Sequence, residues 1–209
     1  MGPLMTRIGR KARIARRHGA ADVARALARK AVRLPLLLAF GADRWHLRGY
    51  HTTAYMKAAV AFARDVPLEL DVVAEVGCGL GEILTRVPAR RRLGYDIDRG
   101  VIASARFLQR FTRSAAEFTV GSFEELAGAE PEVIDLLVVT GWFHYMPDDW
   151  IKDRLRDLLA AKRVRYILVD EFPHQRGRIE PLMDLFGVQV ERRRDWQDDK
   201  SLFLYRCDA

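Results

Sequence analysis

With 209 residues, 49% of them hydrophobic and 30% charged, the chain has the make-up of one sizeable folded α/β domain or two small ones, which excludes wholesale disorder. Cys78 and Cys207 are too few for a disulfide framework or a four-cysteine zinc cluster, so a cytoplasmic protein is the expectation. The longest apolar run, residues 34–40 with Pro35 inside it, is far too short to span a bilayer, which removes an integral membrane protein along with collagen, coiled coil and knottin.

The net charge of +7 is concentrated at one end. Residues 1–33 carry ten Lys and Arg against the single acid Asp22, a local charge of +9, and the remaining 176 residues sum to −2. A basic arm on a nearly neutral body argues against a nucleic-acid-binding core. Val23, Leu27, Ala31 and Leu34 recur at helical spacing within the arm. The arm reads as a solvated helix ahead of the main domain, as a surface helix for anionic lipid or RNA, or as a lid. The expected division is a basic helical extension over 1–42 and a single domain over 43–209.

Residues 43–64 are aromatic-rich and then helical, with Tyr55, Ala59, Phe62 and Ala63 on one face and Pro67 ending the helix. From there strand-like and helix-like stretches alternate. Strands are expected over 72–76, 92–95, 116–120, 133–140 and 165–169, and helices over 80–87, 99–111, 148–161 and 175–186. Two closing strands, 188–193 and 202–205, have no helix between them and should pair antiparallel. This order calls for an α/β fold, doubly wound around a mostly parallel sheet, with ligands beyond the carboxyl ends of the strands.

The first such end reads Glu75-Val76-Gly77-Cys78-Gly79-Leu80-Gly81-Glu82. Glycine at alternate positions lets the chain turn sharply and leaves bare main chain against a ligand, with room between for only a small residue such as Cys78. A dinucleotide fingerprint needs glycine where Glu82 stands, and a carboxylate at that point opposes a pyrophosphate. Asp96 follows nineteen residues after Gly77, at the end of the second strand, close to the distance at which nucleoside-binding folds place a ribose acid. Asp98 reads as a cap for the following helix.

Glu75-x-Gly77-x-Gly79-x-Gly81 resembles the first motif of the class I S-adenosylmethionine-dependent methyltransferases, and the likeness runs over about residues 70–207. It implies a seven-stranded sheet in the order 3-2-1-4-5-7-6 with the last strand antiparallel. It implies S-adenosylmethionine as cofactor and S-adenosylhomocysteine as product. By the same resemblance Glu75 approaches the methionine amino end, Gly77, Cys78 and Gly79 line the bed beneath the cofactor, and Asp96 accepts from the ribose hydroxyls. Ser122 stands where the family commonly has the aspartate that meets adenine, and Ile97 and Phe123 are candidates to sandwich the ring. Thr140 opens the segment after the fourth strand, beside the same site.

Thr140-Gly141-Trp142-Phe143-His144-Tyr145-Met146-Pro147 lacks the acid and proline pattern of enzymes that methylate DNA bases or glutamine. Its aromatic character suits a small organic acceptor, with Trp142 and Tyr145 as walls and His144 as proton acceptor. His174, beyond the fifth strand, is a further candidate to contact the acceptor. Asp43-Arg44-Trp45-His46 with Tyr50 and Tyr55 reads either as a cover over the acceptor pocket or as a packing helix. Asp170, Glu171 and His174 do not make the oxygen-rich set that a divalent cation wants, so no metal is expected. The reading is a methyltransferase for a small molecule, with O-methylation of a sugar-like or natural-product hydroxyl favoured. The alternative is an RNA- or membrane-associated methyltransferase, or a non-catalytic S-adenosylmethionine binder, using the basic arm.

Overall fold

A computed structural model describes residues 3–47, 49–112, 115–195 and 200–207. Seven strands, β1 (Val72–Val76), β2 (Arg91–Asp96), β3 (Ala116–Val120), β4 (Val133–Val139), β5 (Arg163–Glu171), β6 (Val188–Asp195) and β7 (Lys200–Arg206), form one sheet in the order β3-β2-β1-β4-β5-β7-β6. β1 to β5 run parallel, and β7 lies antiparallel between β5 and β6. This is the order that the resemblance implied.

β4 holds the centre because its run of Ile, Leu and Val is buried on both faces, as a strand covered by helices on each side must be. Its one carboxylate, Asp135, accepts from the amides of Asp71 and Val72 at 2.8 and 2.9 Å and so ties the start of β1 to β4. One face of the sheet is covered by α1 (Pro3–Ala39), α2 (Ala54–Asp65) and α3 (Arg99–Gln109). The other is covered by α4 (Phe123–Gly128), α5 (Asp148–Ala161) and α6 (Ile179–Met183).

α1 runs on through Pro35. Its inner face docks through buried Leu37 and Arg33, and Asp22 pairs with Lys57 of α2 at 2.8 Å and lies 3.3 Å from His51. α3 begins on Asp98, whose side chain accepts from the amides of Gly100 and Val101, as its sequence position led us to expect.

Two expected helices are corrected. Residues 80–87 form turns and one short 3-10 helix over Leu84–Arg86. Gly77, Gly79 and Gly81 have φ of 75°, 53° and 72°, so the chain reaches Leu80 in left-handed turns that an α-helix cannot continue. The Leu84 amide then donates to the Glu75 side chain at 3.0 Å, away from the helical ladder. The helix expected over 175–186 shrinks to α6, because Gly177 at φ 82° separates it from a 3-10 turn over Pro173–Gln175. Glu171 caps what remains, accepting from the amides of Arg178 and Ile179 at 3.0 Å.

Candidate active site

A cavity of about 500 Å³ lies beyond the carboxyl ends of β1, β2, β4 and β5. At one end the glycine turn forms its floor. The Gly77 and Cys78 amides both donate to the Tyr95 carbonyl at 2.8 and 2.9 Å, which folds the turn back onto β2. A Cβ at Gly77 would come within 3.1 Å of the Trp142 ring, and one at Gly79 within 3.0 Å of His46 Nδ1. Both positions need glycine for conformation and for space.

Asp96, 8% exposed, closes this end. Its Oδ2 accepts from the Gly79 amide at 2.9 Å and its Oδ1 from the Asp98 amide at 3.0 Å. Each oxygen keeps a second lone pair, so the group can still accept from two ribose hydroxyls. Glu75 lies beneath the turn, and burial pushes its carboxyl up to about 8 despite the Leu84 amide, with Asp96 and Glu82 adding repulsion. Glu82 is shifted the other way. Burial raises its carboxyl, but the Arg33 and Arg86 guanidiniums and the Tyr50 amide overcome that and hold it below the ordinary value. Arg29 and Arg86 lie 3.4 and 3.3 Å from it, Tyr50 N 2.9 Å, and Arg33 donates to it directly.

The other end is apolar and cationic. Tyr55, Met56, Tyr145, Met146 and Phe172 line the cavity together with Lys200, the first residue of β7. Lys200 is 5% exposed, and its ammonium lies 2.7 Å from Asp170 Oδ2 and over the rings of Phe172 and Tyr55 at 3.6 and 3.9 Å. Asp170 Oδ1 accepts from the Gly141 amide at 2.7 Å.

Of the residues singled out in the sequence, Glu75, Gly77, Cys78, Gly79, Asp96, Ile97, Thr140, Trp142 and Tyr145 line this cavity, together with Asp43 and His46 of the proposed cover. Others lie off its walls. Phe123, 1% exposed, packs in the core between Trp142 and Phe143, with ring centroids 5.6 and 6.1 Å away, because it begins the inward face of α4. Ser122 precedes α4, and its amide donates to Glu125 at 2.8 Å. Tyr50 turns its amide to Glu82 and its ring under Arg86. His174 is exposed beside Phe172. The Trp45 side chain lies outside the described residues.

His144 is half-buried behind Tyr145 and Phe172, with ring centroids at 3.7 and 4.0 Å. Its Nδ1 is buried without a hydrogen-bond partner. Burial lowers the imidazole to about 4, with Lys200, His174 and Arg178 adding repulsion that Asp170 only partly offsets. Lys200 and the arginines around Glu82 were not read from the sequence. An isolated lysine opening a strand carries no spacing signal, and Arg33 meets Glu82 across 49 positions.

These residues fit the cofactor that the resemblance implied. The bed is bare main chain at Gly77 and Gly79, a buried acid stands at the end of β2, and Glu75 lies below to meet a cationic amino group. Residues 74–164 match a family model described as a methyltransferase domain. No curated protein matches the chain. Among solved structures, the N-methyltransferase NodS from Bradyrhizobium japonicum WM9 in complex with S-adenosyl-L-homocysteine superposes with a TM-score of 0.62 at 12% identity, over 74% of this chain and 86% of that one. Magnesium protoporphyrin IX methyltransferase ChlM from Synechocystis PCC 6803 with bound SAM gives 0.60 at 11%, over 90% and 97%. A putative methyltransferase from Pseudomonas syringae gives 0.55 at 18%, over 73% and 98%. The structural likenesses speak for the fold, and the methyltransferase-domain match runs from β1 through β4, the strands that carry the glycine turn, Asp96 and Trp142. Residues 74–164 therefore match a methyltransferase domain, set in a fold shared with solved S-adenosylmethionine-dependent methyltransferases.

Proposed function

We propose that this methyltransferase acts on a small-molecule acceptor, at an ionisable hydroxyl of a natural-product or sugar-like compound. The observation that carries this reading is the cavity itself: one recess of about 500 Å³ runs from the glycine turn to the aromatic walls around Lys200. A recess of that size suits a cofactor with a compact partner, whereas a macromolecular acceptor calls for an open groove. When bound, S-adenosylmethionine supplies an electrophilic sulfonium methyl.

The chain's own residues hold the cofactor and orient the acceptor. Asp96 takes the ribose hydroxyls, Glu75 the methionine amino end, and Ile97, 62% exposed on the cavity rim, offers an apolar face to the adenine. Tyr55, Tyr145 and Phe172 hold a flat acceptor in place. Lys200 has three N–H donors and gives one to Asp170, so it can also donate to an acceptor oxygen and favour its ionised form. Alignment at near-attack distance then supplies most of the acceleration. His144, held near 4 by burial, is too weak a base to dominate.

The test is methyl transfer from labelled S-adenosylmethionine to a panel of phenolic, enolic, sugar and amine acceptors. Phenolic or sugar products from the wild type, with turnover falling about tenfold or more in Lys200→Arg at unchanged S-adenosylhomocysteine affinity, support the proposal. Products confined to amines overturn the hydroxyl assignment, and methylation of RNA alone overturns the small-molecule one.

A further inference from the structure

We infer that the outward face of α1 and the neighbouring end of α3 dock on an anionic membrane surface, with α1 lying in the plane of the bilayer. Along the C-terminal half of α1, Ala24, Leu27, Ala31, Leu34 and Leu38 fall on one helical face. All five are exposed, with Leu27 at 59% and Leu38 at 55%. The opposite face, through Asp22, Arg33 and Leu37, packs on the body of the protein. The helix is thus apolar on the side that faces water. Pro35 removes one helical donor on this same outward side.

The patch has aromatic neighbours. Phe107 stands between Phe40 and Phe111, with ring centroids at 6.4 and 5.4 Å, and Phe111 is 75% exposed. Exposed Val32 and Phe111 frame an apolar cavity of about 340 Å³ between α1 and α3. Exposed apolar surface on this scale calls for a partner.

Charge decides which partner. The ten basic residues of positions 1–33 all lie on α1, against one acid, and of these only Arg29 and Arg33 turn inward to Glu82 among the described side chains. Two such helices repel each other, which disfavours a second copy of this chain. A polynucleotide leaves the leucine and phenylalanine face unburied. A bilayer with acidic headgroups satisfies both features, taking the apolar side chains into its interface and the cations at its surface. Among the described residues no helix is long and apolar enough to cross a membrane, so the geometry points to a helix lying on the surface.

The experiment is flotation of the full chain with phosphatidylcholine vesicles, with and without phosphatidylglycerol, at low and high salt. The wild type should bind the mixed vesicles, bind pure phosphatidylcholine at least tenfold more weakly, and release as salt rises. The double substitution Leu27→Ser with Leu38→Ser should weaken binding about tenfold or more while leaving S-adenosylhomocysteine affinity unchanged. Absence of wild-type binding overturns the inference, as does binding that is indifferent to the serine substitutions. Self-association abolished by those substitutions without vesicle binding, or tighter binding to an RNA oligonucleotide at equal salt, overturns it also.

Discussion

The Arg33 guanidinium, buried on the inner face of α1, donates to the Glu82 carboxylate at the end of the glycine turn. The N-terminal helix is thereby attached to the segment that underlies the cofactor site, and Arg29 and Arg86 reinforce the joint. Removing one member of a buried pair leaves the other desolvated. Glu82→Gln should therefore cost about 3–5 kcal/mol, and Arg33→Met about 3 kcal/mol, since two guanidiniums remain for Glu82. Urea unfolding measures both. S-adenosylhomocysteine affinity should fall in parallel, and a loss under about 1 kcal/mol in each variant would show that the joint contributes little to stability.

Asp96→Ala removes the acceptor for the Gly79 and Asp98 amides as well as the proposed ribose contact. S-adenosylhomocysteine binding should weaken by about 1.5–3 kcal/mol, read by calorimetry. Cys78→Ala is the control. The thiol is buried, with burial and the nearby Glu75 and Asp96 carboxylates pushing its pKa up, and it meets the Gly79 carbonyl at 3.6 Å. Affinity unchanged in a folded Asp96→Ala would remove that carboxylate from the binding site.

Two carboxylates seven positions apart should give opposite pH signatures. Glu75 is raised to about 8, so its contribution to stability is complete below the unfolded value near 4.5 and is lost as pH rises through 8. Glu82 is lowered, so its contribution is present above 4.5 and is lost on acidification. Melting temperature between pH 5 and 9 should fall in the wild type and flatten in Glu75→Gln. If a cationic amino group of the cofactor meets Glu75, binding near pH 7 releases a proton, which calorimetry in buffers of different ionisation enthalpy detects. An unchanged slope in Glu75→Gln would contradict the first half of this prediction.

His144 gives a kinetic prediction. With its imidazole near 4, the residue is neutral throughout the working range, and no limb near 6.5 in the rate profile should belong to it. His144→Ala should lower turnover less than about tenfold on a verified acceptor. A drop of roughly 10²–10⁴ would instead make it a proton acceptor that reaches the site when substrate is bound.

Much of the fold was legible because the strands are apolar in runs and the helices in stripes. β3 and α5 fall on the residues that pattern marked. The turn after β1 was misread as a helix because Leu80 to Val87 has helical composition, while the deciding facts, three left-handed glycines and a glutamate that captures the Leu84 amide, are conformational. α4 escaped notice although Ser122 and Glu125 stand at the spacing of a capping box, a local signal that was open to reading. The floor of the cofactor end was visible as Glu75, the glycines and Asp96. The acceptor end was only half visible. Trp142 and Tyr145 follow a strand and announce themselves, but Lys200 reaches the cavity from β7 through antiparallel pairing, a relationship between distant segments that no local pattern encodes.

The glycine turn also bears on which nucleotides the protein ignores. The amides of Gly77, Cys78, Gly79 and Gly81 are all engaged internally, by Tyr95, Asp96 and the Cys78 carbonyl, and no α-helix begins on them. A phosphate arriving there meets four amides already engaged and no positive helix end, and it faces the carboxylates of Asp96 and Glu82. Cells are crowded with adenine compounds that carry phosphates, and at the glycine turn their charge meets two carboxylates in place of a positive helix end. Selection among cellular nucleotides then begins with an electrostatic rejection, before any contact has sorted one adenosine from another.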